Sequence, residues 1–117
     1  MLVDIAEHHA NIVPWQMLSE RHGIIVERIN LDENYDYSLT DFTKKYTDGV
    51  KVVSISAASN VTGALYDIAA IATKLRPETF FIVDGSQAIP HGPIDVVANR
   101  IDALIFTGHK IMADSGL

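Results

Sequence analysis

Short apolar runs rich in β-branched residues punctuate the chain, among them VVSIS at 52–56, FFIV at 80–83 and ALIF at 103–106. Each gives way within a few residues to polar or glycine-bearing sequence. Continuous runs of this length read as strands buried on both faces rather than as half-exposed antiparallel strands. Between them lie stretches with helical character at 12–21, 41–46 and 68–75. Strands separated by helical crossovers pair in parallel. The expected fold is therefore α/β, a mostly parallel sheet with helices on both faces.

Local signals place the boundaries. Residues 1–6 read as a short buried strand. Pro14 suits the first turn of the helix at 12–21, and Gly23 suits its end. Residues 24–31 alternate apolar and polar, a strand pattern. Ser38 or Thr40 is placed to cap the helix at 41–46. A β-branched strand covers 50–57, and the alanine-rich helix at 68–75 stops before Pro77. A further strand spans 79–83, a crossover with one or two helical turns occupies 90–100, and the last strand lies at 103–106.

At 117 residues, with 48% hydrophobic and 21% charged, the chain suits one globular domain at most. A net charge of −6 with scattered basic residues argues against nucleic acid or an anionic membrane as partner. The chain has no cysteine, which excludes disulfides, thiolate metal sites and a cysteine nucleophile within it. The N-terminus lacks the basic and apolar regions of a signal peptide, and no apolar stretch is long enough to span a bilayer. A cytoplasmic location is expected.

In open α/β sheets ligands sit outside the carboxyl ends of the strands. The strand exits of this chain carry Glu7-His8-His9-Ala10-Asn11, then Ser59-Asn60-Val61-Thr62-Gly63, Asp84-Gly85-Ser86-Gln87-Ala88 and Thr107-Gly108-His109-Lys110. The strand at 24–31 instead runs into acidic Asp32 and Glu33, fitting an edge outside the site. These residue types meet the needs of pyridoxal 5'-phosphate (PLP). Asp84 suits the pyridine nitrogen, Lys110 the aldehyde, His8 ring stacking, Asn60 and Gln87 the ring edge, and Thr107 and His109 the phosphate.

Each assignment has a plainer competitor. Asp84 before Gly85 is an ordinary turn acceptor, and a lone lysine is by default solvated. His8 and His9 lack the spacing of a zinc helix, so no metal site is expected. Trp15 with Ile12 and Leu18 has helical spacing and reads as core. His22 belongs to a helix end, and His91 has no assignable role. Asp32, Glu33, Asp36 and Asp41 read as a solvated acidic patch without calcium-loop spacing. No glycine-rich nucleotide-binding signature is present.

Taken together, EHHANIVPWQ at 7–16, SNVTG at 59–63, VDGSQA at 83–88 and TGHK at 107–110 resemble the class V aminotransferase and cysteine desulfurase family. The similarity is nearest to its cysteine desulfurases and selenocysteine lyases, and it runs in order along almost the whole chain. The resemblance implies that Lys110 forms the Schiff base, that Asp84 pairs with the pyridine nitrogen, and that His8 stacks on the ring and is catalytic with Lys110. It further implies that Gln87 and Asn60 lie by the ring and that Thr107 and His109 bind phosphate. A small amino acid such as cysteine is the implied substrate, and a homodimer the implied state. The stretch IMADSG at 111–116 departs from the family's usual glycine-proline sequence. Residues 1–117 correspond to the core of the family's large domain, and the segment before it and the small C-terminal domain are expected to be absent. The competing expectation is a non-catalytic α/β scaffold remnant.

Overall fold

The computed structural model describes residues 1–113; residues 114–116 of the IMADSG stretch, and Leu117, lie outside the described residues. The apolar runs form β1 (Leu2–Asp4), β2 (Glu27–Ile29), β3 (Val52–Ser56), β4 (Phe80–Asp84) and β5 (Ala103–Ile105). Their pairings are all parallel, in the order β2-β1-β3-β4-β5. The carboxyl ends of the strands therefore share one edge. Register aligns Ser56 with Asp84 and Asp84 with Ile105 across the three strands on one side.

The connections carry α1 (Val13–His22), α2 (Leu39–Lys45) and α3 (Ile68–Ala72). Because side chains alternate across a sheet, Val53 and Ile55 face one way with Phe81 and Val83. There they join Phe42 of α2 and Ile71 of α3 in the main core. Ser54 faces the other way and donates to Asn11, just ahead of α1. Helices thus lie on both faces, as the alternation of runs implies.

Helix ends follow the local chemistry. Pro14 sits in the first turn of α1, and Gly23 closes it in the left-handed conformation at φ 67°. Ser38, not Thr40, caps α2 by accepting from the Asp41 amide at 3.2 Å. Lys45 then pairs with Asp41 one turn away at 2.7 Å. Asp67 caps α3 through the Ala70 amide at 3.0 Å.

Three local expectations are corrected. The strand at 24–31 contracts to Glu27–Ile29, and Ile25 is 73% exposed. β2 is the outermost strand, with a neighbour on one side only, so alternation alone could not secure its whole length. Trp15, Ile12 and Leu18 are half-buried rather than core. α1 buries no residue fully, and Trp15 turns its indole nitrogen to Asn11. The helix at 68–75 ends at Ala72, and Thr73 and Lys74 form a turn.

Gly85 marks the tightest point behind β4. A Cβ there would meet Leu104 Cδ1 at 3.0 Å and the Cδ1 atoms of Ile89 and Ile94 at 3.2 Å. Gly85→Ala is expected to destabilise the fold by about 1–3 kcal/mol through overpacking, read as a lowered urea midpoint. Among the described residues no helix is long and apolar enough to cross a membrane.

Candidate functional site

The parallel sheet gathers the sequence-selected residues on one edge, in an arc that follows strand order. His8 follows β1, Asn60 follows β3, Asp84 ends β4 with Gln87 just beyond, and Thr107, His109 and Lys110 follow β5. Neighbouring strands lie about 4.8 Å apart, so the Asp84 and Lys110 segments leave the sheet side by side. The 3-10 turns Ile89–His91 and Gly108–Ile111, one after each of these strands, pack against each other.

Local bonding leaves the relevant groups available. Asp84 Oδ1 accepts from the Ser86 amide at 2.8 Å, so the turn role is real, and Oδ2 takes no donor among the described residues. The Thr107 side chain does not cap the turn that it begins and is exposed. Lys110 is half-buried and makes no ion pair among the described residues. His8 stands at the start of the His9–Asn11 turn, where Nδ1 accepts from the Ala10 amide at 3.2 Å. That bond orients the ring. Asn60 and His109 are exposed, and Gln87 is half-buried. A groove of about 310 Å³ near the ends of β3 and β4 has a different lining, including Ala57, Tyr66, Ala88 and His91. The seven residues are therefore brought to one edge without enclosing that groove.

The segment that leads into His8 carries a network of buried acids. Asp4, fully buried, accepts from the Ala6 amide at 2.7 Å through Oδ1. Its Oδ2 accepts from the Ser56 amide at 2.9 Å and the Tyr37 hydroxyl at 3.2 Å. Glu7, also buried, accepts from Asn11 Nδ2 at 2.7 Å and from the His8 amide at 3.2 Å. Asn11 Oδ1 in turn accepts from Trp15 Nε1 at 2.8 Å and Ser54 Oγ at 2.7 Å. Burial, then the neighbouring Asp4 charge, pushes the Glu7 carboxyl up to about 10. Burial also raises Asp4 and the Tyr37 hydroxyl. Among the described residues no group of three or more acids and histidines is arranged to hold a metal.

A family model described as Aminotransferase class-V matches residues 1–117. This chain belongs to the class-V aminotransferase family. A probable cysteine desulfurase of Vibrio cholerae is 36% identical over the whole of this chain, which covers 29% of that protein. A cysteine desulfurase of Pectobacterium atrosepticum is 34% identical with the same coverage. The crystal structure of the cysteine desulfurase CsdA from Escherichia coli superposes with a TM-score of 0.91 over 98% of this chain, at 34% identity, and the match covers 29% of that chain. The class-V chain thus spans under a third of the length of these relatives.

Of the network in this class-V chain, the sequence points to a cofactor role for His8 alone and gives Trp15 a reading as core. Two signals were present. Asp4 interrupts an otherwise apolar run, and Glu7, Asn11 and Trp15 recur at intervals of four, the spacing that stacks side chains on successive helical turns.

Proposed function

We propose that this chain carries the PLP-binding core of a cysteine desulfurase-like enzyme, a carbon–sulfur lyase or transaminase acting on a small amino acid such as cysteine. One observation carries the reading: Asp84 and the Thr107–Lys110 turn leave adjacent parallel strands at the same edge, with Asp84 in register with Ile105. The donor chemistry fits the cofactor. Among the described residues Asp84 has an unengaged carboxylate oxygen for a protonated ring nitrogen, and Thr107 has a hydroxyl not spent on its own turn. His109 adds a second donor for phosphate, and Asn60 and Gln87 add polar groups at the ring edge.

PLP, when bound, supplies an electron sink for the α-carbon of an amino acid. Asp84 would hold the proton on the ring nitrogen through a charge-assisted bond. Lys110 would hold the cofactor covalently, then carry the α-proton as a general base once its amine is released. His8, its ring set by the Ala10 amide, would cover the flat face of the cofactor. The chain has no cysteine to accept sulfur, so sulfur transfer needs an acceptor from elsewhere. We assign a cytoplasmic location and a homodimeric state, with residues 1–117 contributing the PLP-binding part of a large domain.

The test is selective labelling. Incubating the full chain with PLP and then borohydride is expected to fix a pyridoxyl group on Lys110, located by peptide mass spectrometry. Asp84→Ala is expected to lower that selectivity at least tenfold, equivalent to the roughly 1.5–3 kcal/mol of a charged hydrogen bond. An even spread over Lys44, Lys45, Lys51, Lys74 and Lys110 would instead establish the scaffold reading.

A further inference from the structure

Two buried carboxyl groups, neither in an ion pair among the described residues, lie in the segment that leads into His8. Asp4 is fully buried, Glu7 is 8% exposed, and the two lie close enough for the Asp4 charge to oppose ionisation of Glu7. Carboxylates this close and this dry cannot both be ionised, because each charge has lost its water and meets the other in a poorly screening medium. The surrounding donors decide which keeps the charge. The two Asp4 oxygens face the Ala6 amide, the Ser56 amide and the Tyr37 hydroxyl, whereas Glu7 receives the Asn11 amide group and, at a longer distance, the His8 amide.

We propose that Glu7 is a positioning residue that works as the neutral acid. Its proton is donated to Asp4, and its oxygens hold Asn11 and the His8 backbone in place under the cofactor site. The hold extends outward from there. Asn11 ties the network to Ser54 of β3 and Trp15 of α1, and the His8 amide enters the turn that fixes its own ring. A neutral Glu7 also avoids placing a second anion near Asp84, whose charge opposes ionisation of Glu7. The facing groups are Asp4 from β1, His8 beside it, Tyr37 after β2, Tyr66 against Tyr37 at 4.6 Å between ring centroids, and Asp84 from β4. The inference rests on the cofactor reading only for what the His8 ring faces.

The sign of the pH dependence comes from the proton count. Unfolding releases the Glu7 proton at any pH between its ordinary value near 4.5 and its folded value of about 10. The unfolded state then binds fewer protons, so stability falls as pH rises through that window. Glu7→Gln is neutral at every pH. It accepts at one position and donates to Asp4 at the other, giving up only the 3.2 Å contact with the His8 amide.

The experiment compares urea unfolding of the full wild-type chain with E7Q from pH 6 to pH 9, without cofactor. The ratio of the wild-type to the E7Q unfolding constant is expected to rise about tenfold per pH unit, the signature of one proton. A flat ratio would overturn the proposal. Amide exchange at Ala10, whose proton is held by His8 Nδ1, reads the positioning directly. It should be faster in E7A than in E7Q, which keeps the hold on Asn11, and equal acceleration in both variants would also overturn it. Should E7A fail to fold, the ratio of wild type to E7Q decides alone. Failure of selective Lys110 labelling removes the cofactor reading while leaving these results unaffected.

Discussion

Phe81→Ala is expected to destabilise the fold by about 3–5 kcal/mol, the range for removing a fully buried aromatic ring, measured as a lowered urea midpoint. Phe81 lies at 0% exposure in the middle of β4. Its ring faces the side of the sheet where Phe42 of α2 and Ile71 of α3 close the core. Native domains hold only about 5–15 kcal/mol in total, so the loss takes a large share. Its consequence reaches the candidate site, because β4 ends at Asp84 and its pairing with β5 sets where the lysine-bearing turn begins. The neighbouring Phe80 supplies the control. It is 48% exposed on the opposite face, and Phe80→Ala should cost much less.

The second large effect belongs to Asp4. Asp4→Ala is expected to cost about 2–5 kcal/mol, since it strips the acceptor from the Ser56 and Ala6 amides, each orphaned donor being worth about 1–3 kcal/mol. Calorimetry or urea titration near neutral pH would measure it. Asp4→Asn discriminates the cause. Its shape is nearly the same, but its amide nitrogen must point at one of the donors that the carboxylate accepts. A substantial loss in Asp4→Asn identifies acceptor chemistry as the cause, whereas a near-silent variant would show that Asp4 contributes volume alone. Tyr37 should register the change, because its hydroxyl lies against both Asp4 and the Ser56 carbonyl.

Placement of the candidate residues depends on a topological fact and little else. When every strand is parallel, every strand exit lies on the same side, and a polar group just past a strand is delivered to that edge whatever the details of packing. This is why His8, Asn60, Asp84, Gln87, Thr107, His109 and Lys110 could be grouped from the order of runs and exits. Enclosure is a separate matter. The groove at the ends of β3 and β4 is lined by Ala57, Tyr66 and Ala88 among others. The gathered residues stand beside it.

By itself the sequence determined the α/β class, the parallel pairing, the positions of the buried strands and most helix boundaries. These depend on signals within a few residues: β-branched runs, Pro14 in a first turn and Gly23 in a left-handed cap. Tertiary structure alone decided the strand order, the shortening of β2 and the shallow burial of α1, because each depends on which distant surface lies alongside. It alone also turned Asp4 and Glu7 from charges in a short segment into a buried pair. Asp4 meets Ser56 across 52 positions of chain, and Asn11 meets Ser54 across 43. Whether a carboxyl keeps or gives up its proton depends on the water and the donors left around it after folding, and no local pattern of residues encodes that count.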